Sequence, residues 1–255
     1  VITVTQNAHT ISLASGCMNR PDILRQTLPT WLSCEELDEL VIVDWCSKIP
    51  LHEDLREFVD SRLHFIRVEE QTYWCAARCH NVEINAARGD NLLRIDSDIK
   101  LDSSFFREHP IDTDGFFWNA SWKRSCGDDC HLFGTIYTRR KNFLLVNGYN
   151  ERLESYGFED EDLYRRLQEA QVFGREANRK LMFHIPHDTK SRLRHISPSF
   201  AVDTPIMGVG LNLKIAESLP WTAAKDRITE WDIERISDRL WIYKQKSLPC
   251  TTTQP

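Results

Sequence analysis

Residues 91–98 read Asn91-Leu92-Leu93-Arg94-Ile95-Asp96-Ser97-Asp98, five residues that read as a strand, with two carboxylates directly after them. In a strand, residues two apart share a face, so a persisting strand brings Asp96 and Asp98 out together at its C-terminal edge. That edge is where open α/β sheets bind ligands. Working outward, β-forming runs alternate with helical patterns: HTISLAS from His9, a helix opened by Pro21, ELVIVDW from Glu39, LHEDLREFVD, LHFIRV from Leu63, and a helical stretch from Trp74 that Gly89 stops. The alternation predicts βαβ units and a mainly parallel sheet.

Beyond Ile95 the pattern loosens. FFWNASW, HLFGTIYT and KLMFHI read as strands of a more mixed sheet, RRKNFLLV and DEDLYRRLQEA as helices, and ITEWDIERISDRLWIYKQ near the C-terminus as a further helix. The expected organisation is one domain over 1–255, with a first half over 9–122, a second over 123–195 and a helical extension over 196–255.

The 255 residues carry 32 Lys and Arg against 38 Asp and Glu, a net charge of -6, so no general basic field exists to hold nucleic acid. No apolar run approaches the roughly 20 residues of a membrane span. A soluble chain is expected, the cytoplasm being the favoured compartment and membrane association left open. The 8 Cys lack the C-x-x-C spacing of zinc ribbons. They read as buried free thiols, with a disulfide across the SCGDDC loop as the alternative.

Three clusters carry chemistry. Asp96 and Asp98 suit a hard divalent cation shared with phosphate oxygens. Glu159, Asp160, Glu161 and Asp162 open a helix, where acids offset the helix dipole and one could act as a general base. His184 and His187 lie at or just past a strand end, and neutral imidazoles are ligands for Mn²⁺. G-x-G-x-x-G, G-x-x-x-x-G-K and H-E-x-x-H are all absent, which disfavours dehydrogenases, P-loop enzymes and zincins.

Taken together and in order, these segments resemble the GT-A nucleotide-sugar glycosyltransferases, of the inverting family-2 type and with a galactosyltransferase C-terminal-type module, over about His9 to Arg194. The carriers are ISLASGCMNRPDIL, ELVIVDWCSK, WCAARCHNVEINAARGD, LLRIDSDI and GTIYTRRKNFLLVNGYNERLESYGFEDEDLYRRL. The resemblance implies a GT-A, Rossmann-like α/β fold and transfer of a sugar, with inversion, from a UDP-sugar or related donor to a saccharide or glycoconjugate acceptor. It implies Mn²⁺ or Mg²⁺ held by Asp96, Asp98 and one of His184 and His187. Asp44, Arg78, Asn81 and Asp96 then meet the nucleotide, and Asp160 is the base with Glu159 beside it. Trp118, Asn119 and Trp122 are candidates for stacking on and bonding the acceptor. The chain departs from the family at Trp45-Cys46-Ser47 and at Tyr156-Gly157-Phe158. Two other classes share such acids: a non-catalytic metal-dependent sugar- or nucleotide-binding module, and a sugar nucleotidyltransferase. The latter needs a Gly-rich N-terminal phosphate loop, which SLASGCMNRPD lacks.

Overall fold

Four apolar strands form the centre: β1 (Ile11–Cys17), β2 (Glu39–Trp45), β3 (Leu63–Val68) and β4 (Asn91–Arg94). They run parallel in the spatial order β3-β2-β1-β4, with Ala14 of β1 paired to Val41 on one side and Arg94 on the other. The computed structural model describes residues 9–124, 127–188, 193–218 and 229–246. Because side chains alternate along a strand, the sheet feeds two cores. Leu13 and Ile42 pack in the layer of α1 (Pro21–Leu32), while Ala14, Val41 and Val43 pack in the layer of α3 (Ala76–Ala86). A single turn, α2 (Leu51–Asp54), follows β2.

The second half is mixed, as its looser pattern predicts. After β5 (Ile99–Leu101) and α4 (Phe105–Glu108) come β6 (Phe116–Asn119) and β7 (Ile136–Arg139). Then follow α5 (Arg140–Leu145), α6 (Glu159–Glu169), β8 (Phe173–Glu176), β9 (Met182–His184) and α7 (Pro205–Ser218). Strand β7 joins β4 antiparallel, β6 joins β7 antiparallel, and β8 joins β6 in parallel. Strands β5 and β9 form a small antiparallel sheet with Ile99 opposite His184, which brings the end of KLMFHI to the Asp96–Asp98 turn.

Several local expectations are corrected. The C-terminal segment is a hairpin, β10 (Trp231–Arg235) and β11 (Leu240–Gln245), whose β11 lies parallel to β3 and extends the sheet. Its Trp, Ile and Tyr satisfy a period of two as well as a helical one, and burial against β3 decides between them. The helix expected from Trp74 spans only Ala76–Ala86 and stops short of Gly89, whose backbone instead approaches Ser12 too closely to admit a side chain. His131 and Leu132 close a 3₁₀ turn over 127–132 rather than opening the HLFGTIYT strand, and LHEDLREFVD keeps only the α2 turn. Cys17, Cys34, Cys75 and Cys79 are buried free thiols. Cys126, and with it the SCGDDC disulfide, lies outside the described residues. No helix among the described residues is long and apolar enough to cross a membrane.

Trp45 anchors the hairpin. Its ring is fully buried between Trp74 (centroids 6.4 Å apart) and Trp231 (6.0 Å), and its Nε1 donates to the Tyr73 carbonyl at 2.8 Å. Trp45→Ala should cost about 3–5 kcal/mol in urea unfolding. A loss below about 1 kcal/mol would show that the hairpin holds without this contact.

Candidate active site

One side chain organises the pocket above the C-terminal ends of β1 and β4. Arg94, the last residue of β4, is 2% exposed, and its guanidinium donates to the Gly134 carbonyl (2.6 Å) and to Asp96 Oδ1 (2.7 Å). It also faces Asp160 Oδ1 at 3.6 Å and the fully buried Glu83 of α3 at 3.6 Å, and it touches the ring of His80. Burial opposes its charge, but Asp96, Tyr149, Asp160 and Glu83 outweigh that effect and hold its pKa well above the usual value. Gly134 is where the backbone must come closest. A Cβ there would lie 2.8 Å from Arg94, 2.9 Å from Asp96 and 3.2 Å from Asp160, so these three groups converge on one point.

The Asp-x-Asp pair divides its work. Asp98 turns to His187, whose Nε2 lies 2.7 Å from Oδ2, and to Arg20 Nη1 at 3.3 Å. Ligand atoms of Asp98, His184 and His187 all lie within 4.8 Å of one another. Burial pushes the Asp98 carboxyl up, but His187 and Arg20 overcome this and hold it below its ordinary range. The pairing Ile99 to His184 and the hydrogen bond from Ile185 N to the Asp98 carbonyl (2.7 Å) set this trio. One carboxylate and two imidazoles fit Mn²⁺, with its tolerance for nitrogen, better than Mg²⁺. Asp96 stands outside that trio, bound to Arg94, while sharing the same cavity.

The third contribution comes from the start of α6. Phe158 caps the helix in the left-handed region (φ 74°, ψ -11°), next to Gly157 at φ 79°. A non-glycine residue there is strained. The segment is held by α7: Asn212 accepts from Ser155 N (3.2 Å) and donates to the Gly157 carbonyl (2.6 Å). Asp160 accepts from Tyr149 Oη at 3.1 Å and stays open to the cavity. The Tyr149 hydroxyl is a firm donor, because burial and then Asp160 raise its pKa well above the usual value. Desolvation, aided by the charge of Asp160, pushes Glu159 up to about 8, and desolvation pushes Glu161 up to about 7. The Glu159 Oε2 has no hydrogen-bond partner. The resulting cavity, about 300 Å³, is lined by Arg20, Asp96, Asp98, Glu159, Asp160, His184 and His187 among others. It joins a trio whose ligand atoms could hold a cation to a carboxylate open to the cavity.

Other expected site residues sit elsewhere. Asp44 is 1% exposed, and its oxygens accept from Ser47 N (2.9 Å), Leu51 N (2.9 Å) and Arg67 Nη1 (2.7 Å), so its carboxylate is spent on shaping the loop after β2. That loop lines a shallow groove with Asn19, Lys48, Arg194 and His195. Asn81 is buried against the NGYNE segment, accepting from Tyr149 N (2.7 Å) and donating to the Tyr149 carbonyl (3.0 Å) and Glu151 Oε1 (2.8 Å). Arg78 faces Glu154 at 3.7 Å. Neither lines the cavity. Trp118 lies on β6, one strand in from the edge, with its Nε1 on the Pro110 carbonyl (3.2 Å), and Asn119 lines a second, neighbouring pocket. The Trp122 side chain lies outside the described residues. Sequence reasoning passed over Arg94, Arg20 and Glu83. The one signal for Arg94 was a charge in an otherwise apolar strand.

Among curated proteins nothing matches the chain. The family model described as the N-terminal domain of galactosyltransferase matches residues 127–188. Solved structures match far more of it. The catalytic domain of Drosophila β1,4-galactosyltransferase 7, in complex with xylobiose, is 14% identical, covers 93% of each chain and has a TM-score of 0.58. A mutant of that enzyme with manganese, UDP-Gal and xylobiose gives 15% identity, 93% coverage of each chain and a TM-score of 0.59. A mannosyltransferase from Pyrobaculum calidifontis with GDP-Man and Mn²⁺ is 11% identical, covers 84% of this chain and 78% of its own, and has a TM-score of 0.56. The fold is the GT-A fold of nucleotide-sugar glycosyltransferases, and the segment similar to the N-terminal domain of galactosyltransferase carries Asp160, His184 and His187.

Two variants test the site's physics. The Glu159 carboxyl has a higher pKa folded than its ordinary 4.5, so protonation favours the native state: that stabilisation is full below about pH 4.5 and is lost as pH rises through about 8. Glu159→Gln should therefore gain Tm relative to wild type progressively from pH 5 to pH 8.5. A difference constant across that window would place the carboxyl in ordinary solvent. Arg94→Lys keeps the charge but loses the fork that spans Gly134, Asp96 and Asp160. It should lose about 1–3 kcal/mol of stability and at least roughly tenfold in turnover; wild-type values for both would remove Arg94 from its organising role.

Proposed function

We propose that the chain transfers a sugar from a nucleotide diphosphate sugar, UDP-sugars being the first to test, to a hydroxyl of a saccharide or glycoconjugate, with inversion at the anomeric carbon. The observation that carries this reading is the meeting, in one cavity, of Asp160 with the Asp98, His184 and His187 trio. The complexes of the structural neighbours with UDP-Gal or GDP-Man and manganese support it further.

In this reading Asp160 takes the proton of the acceptor hydroxyl, and the freed oxygen pair forms the new bond to the anomeric carbon. The bond from that carbon to the diphosphate oxygen breaks, and its electrons leave with the nucleoside diphosphate. One displacement inverts configuration, by the same logic as single-displacement glycosidases. A divalent cation held by Asp98, His184 and His187 would supply Lewis-acid neutralisation of the leaving diphosphate. Arg20, bonded to Asp98, adds a fixed positive charge beside it. Glu159, whose Oε2 is without a partner, is placed to accept from a sugar hydroxyl. Asp44 acts on the nucleotide indirectly, by holding the Ser47 to Leu51 turn beside the groove for the base.

Asp160→Asn should keep Mn²⁺-dependent UDP binding while turnover falls by about 10²-fold or more. Asp98→Asn should lose that binding. NMR of the product's anomeric proton checks stereochemistry: retention of the donor's configuration overturns the single displacement. Equal turnover by wild type and Asp160→Asn would remove the base from this carboxylate.

A further inference from the structure

Helix α7 is built against its own propensity. Its sequence, PIMGVGLNLKIAES, puts Gly208, Asn212 and Ala216 four apart on one face, and these three are its buried residues. Glycine and asparagine both weaken a helix interior, and a buried amide is costly unless it is hydrogen-bonded. Asn212 is fully buried, and both ends of its amide are spent on the loop ahead of α6: Oδ1 accepts from Ser155 N at 3.2 Å and Nδ2 donates to the Gly157 carbonyl at 2.6 Å. A donor at Ser155 and an acceptor at Gly157 leave the amide only one way to face.

The two backbones nest around these bonds. A Cβ at Gly208 would lie 2.6 Å from the Tyr156 carbonyl oxygen, and one at Gly157 would lie 2.6 Å from Val209 Cγ2. Ser155 Oγ donates to the Phe200 carbonyl at 3.1 Å. Directly after the gripped residues the chain turns left-handed twice, at Gly157 (φ 79°) and Phe158 (φ 74°), and α6 starts at Glu159. Glycine adopts such a φ freely, whereas phenylalanine holds it only while its surroundings impose it. Return of Phe158 to the right-handed region would swing the first turn of α6 and carry Glu159 and Asp160 with it. On its far side the Asp160 carboxylate meets Tyr149 Oη at 3.1 Å and Arg94 Nη1 at 3.6 Å. Those contacts hold the side chain, and the contacts of α7 set the backbone that carries it. The Asp98 and His184 geometry is set separately, by the pairing of β5 with β9.

We propose that Asn212 is a positioning residue: by holding the backbone at Ser155 and Gly157 it keeps Phe158 left-handed and the Asp160 carboxylate aimed into the cavity, which Asn212 itself does not line. The kinetic half of this assignment rests on the transferase reading and deepens it. The structural half, that Asn212 orders residues 155–160, does not need it.

The experiment compares the purified chain with Asn212→Ala in three measurements: transfer kinetics, UDP affinity in the presence of Mn²⁺, and amide hydrogen exchange. Turnover should fall about tenfold to 10²-fold, the scale of a small misplacement of a reacting group, while UDP affinity and the donor KM stay within about twofold. Exchange at residues 155–160 should quicken at least about tenfold, with that of β1 unchanged. Gly208→Ala, which pries α7 away from Tyr156, should give the same pattern, and the double variant should lose no more turnover than the worse single one, because the loop is already released. Asn212→Asp keeps the acceptor for Ser155 N and removes only the donor to Gly157, so it carries the same test should Asn212→Ala fold poorly. Wild-type kcat with a lowered Tm, or a fall in kcat matched by an equal loss of UDP affinity, overturns the positioning role and leaves the transferase reading standing. A chain that transfers from no nucleotide sugar, but whose exchange at 155–160 rises in the variant, overturns the transferase reading and keeps the loop with Asn212. Unchanged exchange at 155–160 overturns the assignment whatever the chain transfers.

Discussion

A guanidinium removed from water is stable only when charged partners replace the lost hydration, and Arg94 sets that requirement at the centre of this protein. Its partners come from different places: Glu83 from α3, Asp96 from the turn after β4, the Gly134 carbonyl from the approach to β7, and Asp160 from α6. None of these elements can shift without uncovering charge. Removing one partner of a buried pair typically costs about 3–5 kcal/mol, so the ring of acids and the fold around it stand or fall together. The same ring fixes where Asp96 and Asp160 can be, so the interaction that closes the core also defines the site.

The loop before α6 shows a second constraint acting on the same residues. Phe158 occupies a left-handed conformation that costs a side-chain-bearing residue about 1–2 kcal/mol, and the strain is held by contacts made some fifty residues later in the chain. Asn212 grips the backbone at Ser155 and Gly157. Gly208 lets α7 approach Tyr156 so closely that any Cβ would meet its carbonyl at 2.6 Å. Val209 and Ile196 then complete the cavity wall. Residues beyond Arg194, which the family resemblance left unexplained, are therefore part of what aims Glu159 and Asp160.

What could be read from the sequence was what depends on short-range pattern. Continuous apolar runs such as ELVIVDW mark central strands, and acids after NLLRI or at the head of a helix mark carboxylates at a ligand-binding edge. The resemblance set one of His184 and His187 beside Asp96 and Asp98; the structure gathers both imidazoles at Asp98 and leaves Asp96 with Arg94. What escaped was long-range partner choice. Asp44 looks like a base contact until Arg67 and two loop N–H groups are seen to occupy it. Asn81 meets Tyr149 across 68 positions, a contact that no local spacing announces. The Trp231 to Gln245 hairpin carries apolar residues compatible with two periods, and only the open edge of β3 selects the strand.

The divided Asp-x-Asp pair follows from where β4 stops. The strand ends at Arg94, so the alternation that would send both carboxylates one way does not persist through Ser97. Asp96 falls to the arginine and Asp98 to the histidines and Arg20. The cavity then holds Asp96, Asp98, Glu159, Asp160 and Glu161 against the fixed charges of Arg20 and Arg94. Desolvation relieves part of this excess by raising Glu159 and Glu161 toward neutrality. The remainder would repel a bare diphosphate, and a cation held by Asp98, His184 and His187 would offset that charge. On the proposed reading, a cation at that trio would offset the acids beside which two phosphates would have to sit.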